Sequence, residues 1–408
     1  MEQAGDQRQV RRRRVFYIPG YDPIHPRRYR ELYRKEGAAQ AAISGYALSL
    51  SPKGTPGPYG WHVSAEIEGA RVETEVEVLV WSDIVRDSMA NTLAATYRQM
   101  LRTAWAYIGS GALWRLMRLR KGPVIAALYP VGALVALALA AFCVVAGVVW
   151  ACVALFGAWG WSPGVPVGLG LAYAFMSWVK ARDGKTFIFY LMHDYGYSAQ
   201  SGGENPSELE ARMFEFGKAI AAALQSETDE VLVVGHSSGA HLGISVLADL
   251  IRAGQVPGDG PALGLLTLGQ VVPMVSFLPK AARLRADLAF LAAREEIAWV
   301  DVTAPGDGCA FALCDPVSVS GVAPEGKRWP LVISAAFTQT LSPERWRALR
   351  WRFFRLHFQY LCAFDRPGDY DYFRITAGPQ TLAARFAGRA PSKSRIEVAV
   401  SKYTSVAA

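Results

Sequence analysis

Val231-Leu-Val-Val-Gly235-His236-Ser237-Ser238-Gly239-Ala240-His241 is a short, continuously apolar run that passes into a glycine-flanked serine and then into an Ala/Leu-rich segment. The apolar run reads as a strand buried on both faces, and the residues after Gly239 read as a helix. Between them the chain turns from strand to helix within a few residues. Side chains at Gly235 or Gly239 would crowd the backbone of so tight a turn, whereas Ser237 at its apex would point its hydroxyl out of the sheet edge.

Working outward, the same strand and helix signals recur on both sides. Val15-Phe-Tyr-Ile18, ended by Pro19-Gly20, is a second short apolar run followed by a turn and reads as the first core strand. Arg27–Glu36 is helix-forming, and Gly45–Leu50, Trp61–Ile67 and Glu73–Trp81 read as strands. Asp87–Met117 reads as one helix. On the other side, Ser207–Gln225 and Lys280–Glu296 read as helices, and Gly264–Gly269, Ile297–Val302 and Pro330–Ala335 as strands. Strands alternating with helices predict an α/β fold with a mostly parallel sheet flanked by helices. The length of 408 residues leaves room for such a domain and an insertion.

The insertion is visible as an absence of charge. From Lys121 to Lys180 no Asp, Glu, Lys or Arg intervenes, and the stretch is rich in Val, Ala, Leu and Trp. A bilayer core takes about 20 apolar residues per helix and penalises charge, so this segment predicts a transmembrane helical hairpin over 121–180. Its break falls at Gly157-Ala-Trp-Gly-Trp-Ser-Pro-Gly164, which leaves a short second arm, Val165–Val179. Arg115, Arg118, Arg120 and Lys121 precede the hairpin, and Lys180, Arg182 and Lys185 follow it. By the positive-inside rule both ends are expected in the cytoplasm, giving a multi-pass protein of the inner or cytoplasmic membrane.

The remaining composition narrows the function classes. Hydrophobic residues make up 51% and charged residues 19%, which argues against global disorder. The N-terminal Met1–Arg14 segment is polar and basic, without the apolar run of a secretory signal. Five cysteines, Cys143, Cys152, Cys309, Cys314 and Cys362, imply no disulfide framework, and the Cys309/Cys314 pair has no second pair to complete a zinc site. No metal and no cofactor are expected. The formal charge of +8 includes Arg11–Arg14 and the arginines between Arg345 and Arg355, which interleave with Trp346, Trp351, Phe353 and Phe354. Such a surface suits anionic lipid. No nucleic-acid motif accompanies it, so nucleic acid is not expected as a partner.

Around the glycine-flanked serine, over residues 14–81 and 186–385, the chain resembles the α/β-hydrolase superfamily in its lipase- and esterase-like branch. The resemblance implies an α/β-hydrolase fold in two parts, 14–120 and 181–388, with a basic N-terminal tail over 1–13 and a polar C-terminal tail over 389–408. It implies a nucleophile elbow built from Gly235, His236, Ser237 and Gly239, with Ser237 as nucleophile, followed in chain order by an acid and a histidine. Only His241 and His357 follow Ser237, and His241 lies one helical turn past it, so the resemblance points to His357 as the base. His357 sits in a segment of helical periodicity, which requires a loop near Phe354.

The acid is expected after the next-to-last strand. Asp307 in the Pro-Gly turn is the choice, with Asp301 in the strand and Asp315 in a later loop as alternatives. Oxyanion donors are expected from the Ser238 amide and from Tyr21 or Gly20 after the first core strand. His193 and Asp194 are expected in a loop re-entering the domain. The implied function is a membrane-anchored serine hydrolase acting on a small-molecule or lipid acyl ester, with the catalytic domain cytoplasmic and the lipid bilayer as partner. The competing expectation is a catalytically silent hydrolase-fold scaffold.

Overall fold

The predicted alternation closes into one sheet of eight strands in the computed structural model, which describes residues 9–89 and 92–407. The strands are β1 (Arg12–Ile18), β2 (Ala47–Pro52), β3 (Gly60–Ile67), β4 (Ala70–Val78), β5 (Glu230–His236), β6 (Ala262–Leu268), β7 (Ala298–Thr303) and β8 (Leu331–Ser334). Their order is β2-β3-β4-β1-β5-β6-β7-β8. From β4 through β1 to β8 every pairing is parallel, while β2-β3 and β3-β4 are antiparallel. The fold is therefore α/β with a mixed, mostly parallel sheet. Glu68 and Gly69, both with positive φ, close the β3-β4 hairpin in two residues, the backbone that twisted antiparallel strands favour.

The chain divides into two compact units. One comprises 9–87, 111–123 and 201–407; the other comprises the described residues of 88–110 together with 124–200. The sheet lies wholly in the first unit. Its central strands are buried along their length because helices cover both faces of a parallel sheet: Val231 to Val234 and Leu265, Leu266 and Leu268 are inaccessible. One face packs Tyr17, Tyr29, Tyr33 and Trp61 with Val234, Leu266, Val302, Tyr360 and Phe373.

Three expectations about the chain ends and connections are corrected. Of the basic tail assigned to 1–13, residues 1–8 lie outside the described residues, and β1 begins at Arg12. Arg13 is only 1% exposed. Its guanidinium donates to Glu230 (2.6 Å), the Gly378 carbonyl (2.7 Å) and the Gln380 carbonyl (2.6 Å). Arg14 pairs with Glu77 across 2.8 Å. The charges of Arg13 and Arg14 are thus neutralised by acids distant in sequence. The Asp87–Met117 helix is three helices, Ser82–Ser88, Leu93–Gly109 and Ala112–Leu119, divided where Thr92 caps Ala95 (3.1 Å) and where Gly111 takes a positive φ.

The stretch Leu191–Gly196 is not a loop: it lies in the helix Ile188–Ala199 of the second unit. Asp183 accepts from the Phe189 (2.9 Å) and Tyr190 (2.8 Å) amides at that helix's start, and His193 Nδ1 meets Gln99 Oε1 at 2.6 Å. Among the described residues the C-terminal segment carries no helix or strand beyond Arg389 but runs along the rest of the first unit. Ser392 donates to Val332 (2.9 Å), Ile396 to Leu313 (2.7 Å) and Val400 to Val319 (3.1 Å).

Lys121–Lys180 is helical and apolar throughout, long enough to cross a membrane, with mean hydropathy 2.7 and 11% burial in its most apolar window. It comprises the helices Lys121–Phe156 and Trp161–Lys180, joined by a 3-10 turn over Gly157–Gly160. The second helix starts four residues before the expected Val165, and its 20 residues span about 30 Å. A Cβ at Gly164 would stand 3.0 Å from Val149 Cα, and one at Gly168 3.0 Å from Val145 Cα. Glycines at every fourth position thus let the two helices fold back in close antiparallel contact.

Candidate active site

β5 delivers its last residue, His236, into a turn that becomes the helix Gly239–Arg252. Ser237 holds φ at 56°, the left-handed region that non-glycine residues enter only when the surroundings enforce it. Here its amide donates to the Leu268 carbonyl at the end of β6 (2.9 Å), and its carbonyl accepts from Ala240 (3.1 Å). A Cβ at Gly235 would lie 2.6 Å from the Gly239 carbonyl oxygen, and one at Gly239 2.1 Å from that of Ile18. Both glycines are therefore sterically required, as their spacing predicts. Ser237 is only half-buried, between fully buried neighbours.

The turn after β1 meets this serine. A Cβ on Gly20 would come within 2.9 Å of Ser237 Cβ and 3.4 Å of its Oγ. The turn is braced on several sides: Trp81 Nε1 donates to the Pro19 carbonyl (2.9 Å), and Asp22 accepts from Tyr29 Oη (2.6 Å), Arg28 (3.0 Å) and the Ile24 amide (2.9 Å). Tyr21 is buried edge-on to Trp81. Ser238 occupies the position preceding the helix Gly239–Arg252. Its amide and that of Gly20 make no hydrogen bond among the described residues, which leaves both available to an oxygen placed beside Ser237 Oγ.

Asp307 and His357 come together across 50 residues of sequence. His357 Nδ1 donates to Asp307 Oδ2 at 2.7 Å, which leaves Nε2 with its lone pair as a base. Tyr360 Oη donates to the same carboxylate oxygen (3.0 Å) while accepting from the Ala304 amide (3.0 Å), and the Cys309 amide donates to Oδ1 (2.9 Å). Burial alone would raise the Asp307 pKa, but the interaction with His357 and these hydrogen bonds outweigh it and hold the pKa below the ordinary carboxylate value. The helix around His357 is interrupted, as required, though not at Phe354. The helix Pro343–Leu349 ends first, and His357 is the last residue of the short helix Phe353–His357.

The alternative acids are engaged elsewhere. Asp301 is fully buried in β7 against Thr267 (2.6 Å), and Asp315 caps the helix Pro316–Val319 while pairing with Lys327 (2.5 Å).

Two residues were not foreseen in their roles. His236, expected only as part of the turn, meets the His357 carbonyl through Nε2 at 3.0 Å, with the two rings 4.8 Å apart. Burial first, and the neighbouring His357 second, push the His236 pKa down to about 3, so this ring stays neutral and donates from Nε2. Tyr360 lies three residues beyond His357. Its only sequence signal is the presence of a hydroxyl-bearing aromatic one helical turn away.

The two halves of the site meet at His236 and at Gly269, where a Cβ would stand 3.1 Å from His357 Cε1. No hydrogen bond joins the Ser237 hydroxyl to His357 among the described residues. Asp307, Cys309 and His357 also bring three potential metal-donor atoms within 4.8 Å of one another. The imidazole and carboxylate are already paired by a hydrogen bond there. Cys143, Cys152, Cys309, Cys314 and Cys362 form no disulfide among the described residues. No protein-family model, curated protein or solved structure matches the chain.

Proposed function

We propose that this protein is a membrane-anchored serine hydrolase that cleaves an acyl ester through Ser237, His357 and Asp307. The observation that carries the reading is Ser237 held at positive φ between two sterically required glycines, with the residue before it, His236, bonded to the main chain of His357, whose Nδ1 is fixed on a buried carboxylate. The mostly parallel sheet is compatible with the α/β-hydrolase fold that the sequence resembles.

In this reading Ser237 Oγ attacks the acyl carbonyl carbon and passes its proton to His357 Nε2. Asp307 keeps the imidazole in the required tautomer and stabilises it when charged. The oxygen that becomes anionic is received by the Ser238 amide and by the amide of Gly20 or Tyr21. His357 returns the proton to the departing alcohol, and a water molecule, deprotonated by the same nitrogen, releases the acid from the acyl-enzyme. The apolar segment Lys121–Lys180 forms a two-pass anchor with both ends and the hydrolase domain in the cytoplasm, as the flanking basic residues favour. An anchored site favours an ester with an acyl chain as substrate.

A second reading is a scaffold without catalysis, favoured by the missing hydrogen bond between Ser237 and His357. Such bonds are often long before substrate binds, so its absence does not decide. Fluorophosphonate labelling of the detergent-solubilised protein does. Labelling of the wild type, lost in both Ser237→Ala and His357→Ala at unchanged folding, is expected. A folded wild type that never labels would leave the scaffold.

A further inference from the structure

The loop that carries Asp307 is clasped from two sides. Trp346 lies over Gly306, where a Cβ would stand 2.6 Å from the ring, and Phe353 lies over Gly308, where it would stand 3.3 Å away. From another direction Gly122, in the first turn of the apolar helix Lys121–Phe156, sits against Gly308, with its own Cβ position 3.3 Å from Gly308 Cα. The apolar segment therefore leaves the first unit at the same loop that the Trp346–Phe353 segment covers.

The outer side of that covering segment is unusual for a surface facing water. Trp351 is 71% exposed and Phe353 49%, and Arg347, Arg350, Arg352 and Arg355 are exposed around them. Arg347 pairs with Glu344, and Arg350 stacks towards Trp351, but Arg350, Arg352 and Arg355 have no carboxylate partner among the described residues. Exposed indole and phenyl rings among unpaired arginines suit a layer that is apolar on one side and anionic on the other, the headgroup region of a bilayer.

We propose that residues 347–355 rest on the anionic phospholipid surface of the membrane that the apolar segment enters, holding the Asp307–His357 side of the site at the headgroup level. This rests on the membrane reading of Lys121–Lys180. It specifies the substrate class further: an ester dissolved in the bilayer, presented at its surface, rather than one arriving from bulk water.

The test is hydrogen exchange of the full-length protein in nanodiscs of phosphatidylcholine alone or with phosphatidylglycerol, read by mass spectrometry over 347–355. Slower exchange in the phosphatidylglycerol discs, lost in high salt and lost in Arg350→Gln/Arg352→Gln and in Trp351→Ser, is expected. Equal exchange in both discs and in detergent overturns the proposal. Protection that instead grows with protein concentration in detergent, or that appears only on adding RNA, assigns the surface to a second copy or to nucleic acid and also overturns it. Fluorophosphonate labelling and flotation with liposomes, measured on the same samples, report separately on the hydrolase and membrane readings.

Discussion

His236 Nε2 donates to the backbone carbonyl of His357 at 3.0 Å, so the residue just before the candidate nucleophile fixes the main chain of the candidate base. Because the His236 pKa is held at about 3, first by burial, this link persists across the pH range in which a hydrolase works. The ring also lies tilted against Phe358, centroids 5.0 Å apart, and Arg28 lies 4.6 Å from the Phe358 centroid.

Replacing His236 with Ala is expected to slow fluorophosphonate labelling by about tenfold or more, because small displacements of a base carry large rate costs. His236→Asn keeps a donor on a shorter side chain and is expected to recover part of the loss. Equal labelling rates in all three proteins would remove His236 from any positioning role.

Tyr360→Phe removes the hydroxyl shared by Asp307 and the Ala304 amide. A buried amide left without an acceptor costs about 1–3 kcal/mol, so the melting temperature should fall by several degrees. The labelling rate should also decline on its acid limb, since Asp307 loses one of the bonds that lower its pKa. A variant that melts like the wild type would show that the Ala304 amide finds another partner.

At Gly20 the prediction is steric. Gly20→Ala places a methyl 2.9 Å from Ser237 Cβ, against the atoms that must receive substrate, whereas Gly54→Ala meets nothing within 4 Å. Gly20→Ala should abolish labelling and lower the melting temperature, because Ser237 and the His236 carbonyl (3.3 Å) must shift to admit the methyl, and Gly54→Ala should leave both intact. Full labelling of Gly20→Ala would show that the loop yields and that no donor there is fixed.

What the sequence carried of this site was local. The glycines around Ser237 are constrained by atoms within a few residues of the turn or on the neighbouring strand, and the charge-free stretch from Lys121 to Lys180 is a property of composition alone. The pairing of Asp307 with His357 was reached through a resemblance to known hydrolases rather than from spacing. What stayed hidden depends on partners far away in the chain. Arg13 looks like one more residue of a basic tail until Glu230 and the carbonyls of Gly378 and Gln380 close around it. His193 reads as a loop residue until Gln99, on another helix, takes its ring nitrogen.

The Arg13 network gives a stability test independent of chemistry. Glu230 also accepts from the Leu382 amide (2.6 Å), so the pair ties β1 and β5 to the chain near the C-terminus. Removing one partner of a buried pair strands the other, and Arg13→Ala is expected to cost about 3–5 kcal/mol. Labelling per folded molecule should be unchanged. A small loss, below about 1 kcal/mol, would mean that water reaches Glu230 and the pair is effectively a surface one.

Asp301 predicts how stability varies with pH. Its carboxyl is fully buried in β7; Oδ1 accepts from Thr267 and Oδ2 has no partner. Burial is the main cause that pushes its pKa up to about 8; the Thr267 bond opposes the rise and the Asp315 charge adds to it. The folded protein therefore keeps this proton after the unfolded chain, with a carboxyl near 4, has lost it. Stability from this group is complete below about pH 4 and drains away as pH rises towards 8. Asp301→Asn resembles the neutral carboxyl and carries no proton to lose, so its melting temperature should match the wild type near pH 4 and exceed it increasingly up to pH 8. Parallel melting curves across that range would mean that Asp301 is ionised in the folded protein, with a cation or water serving Oδ2.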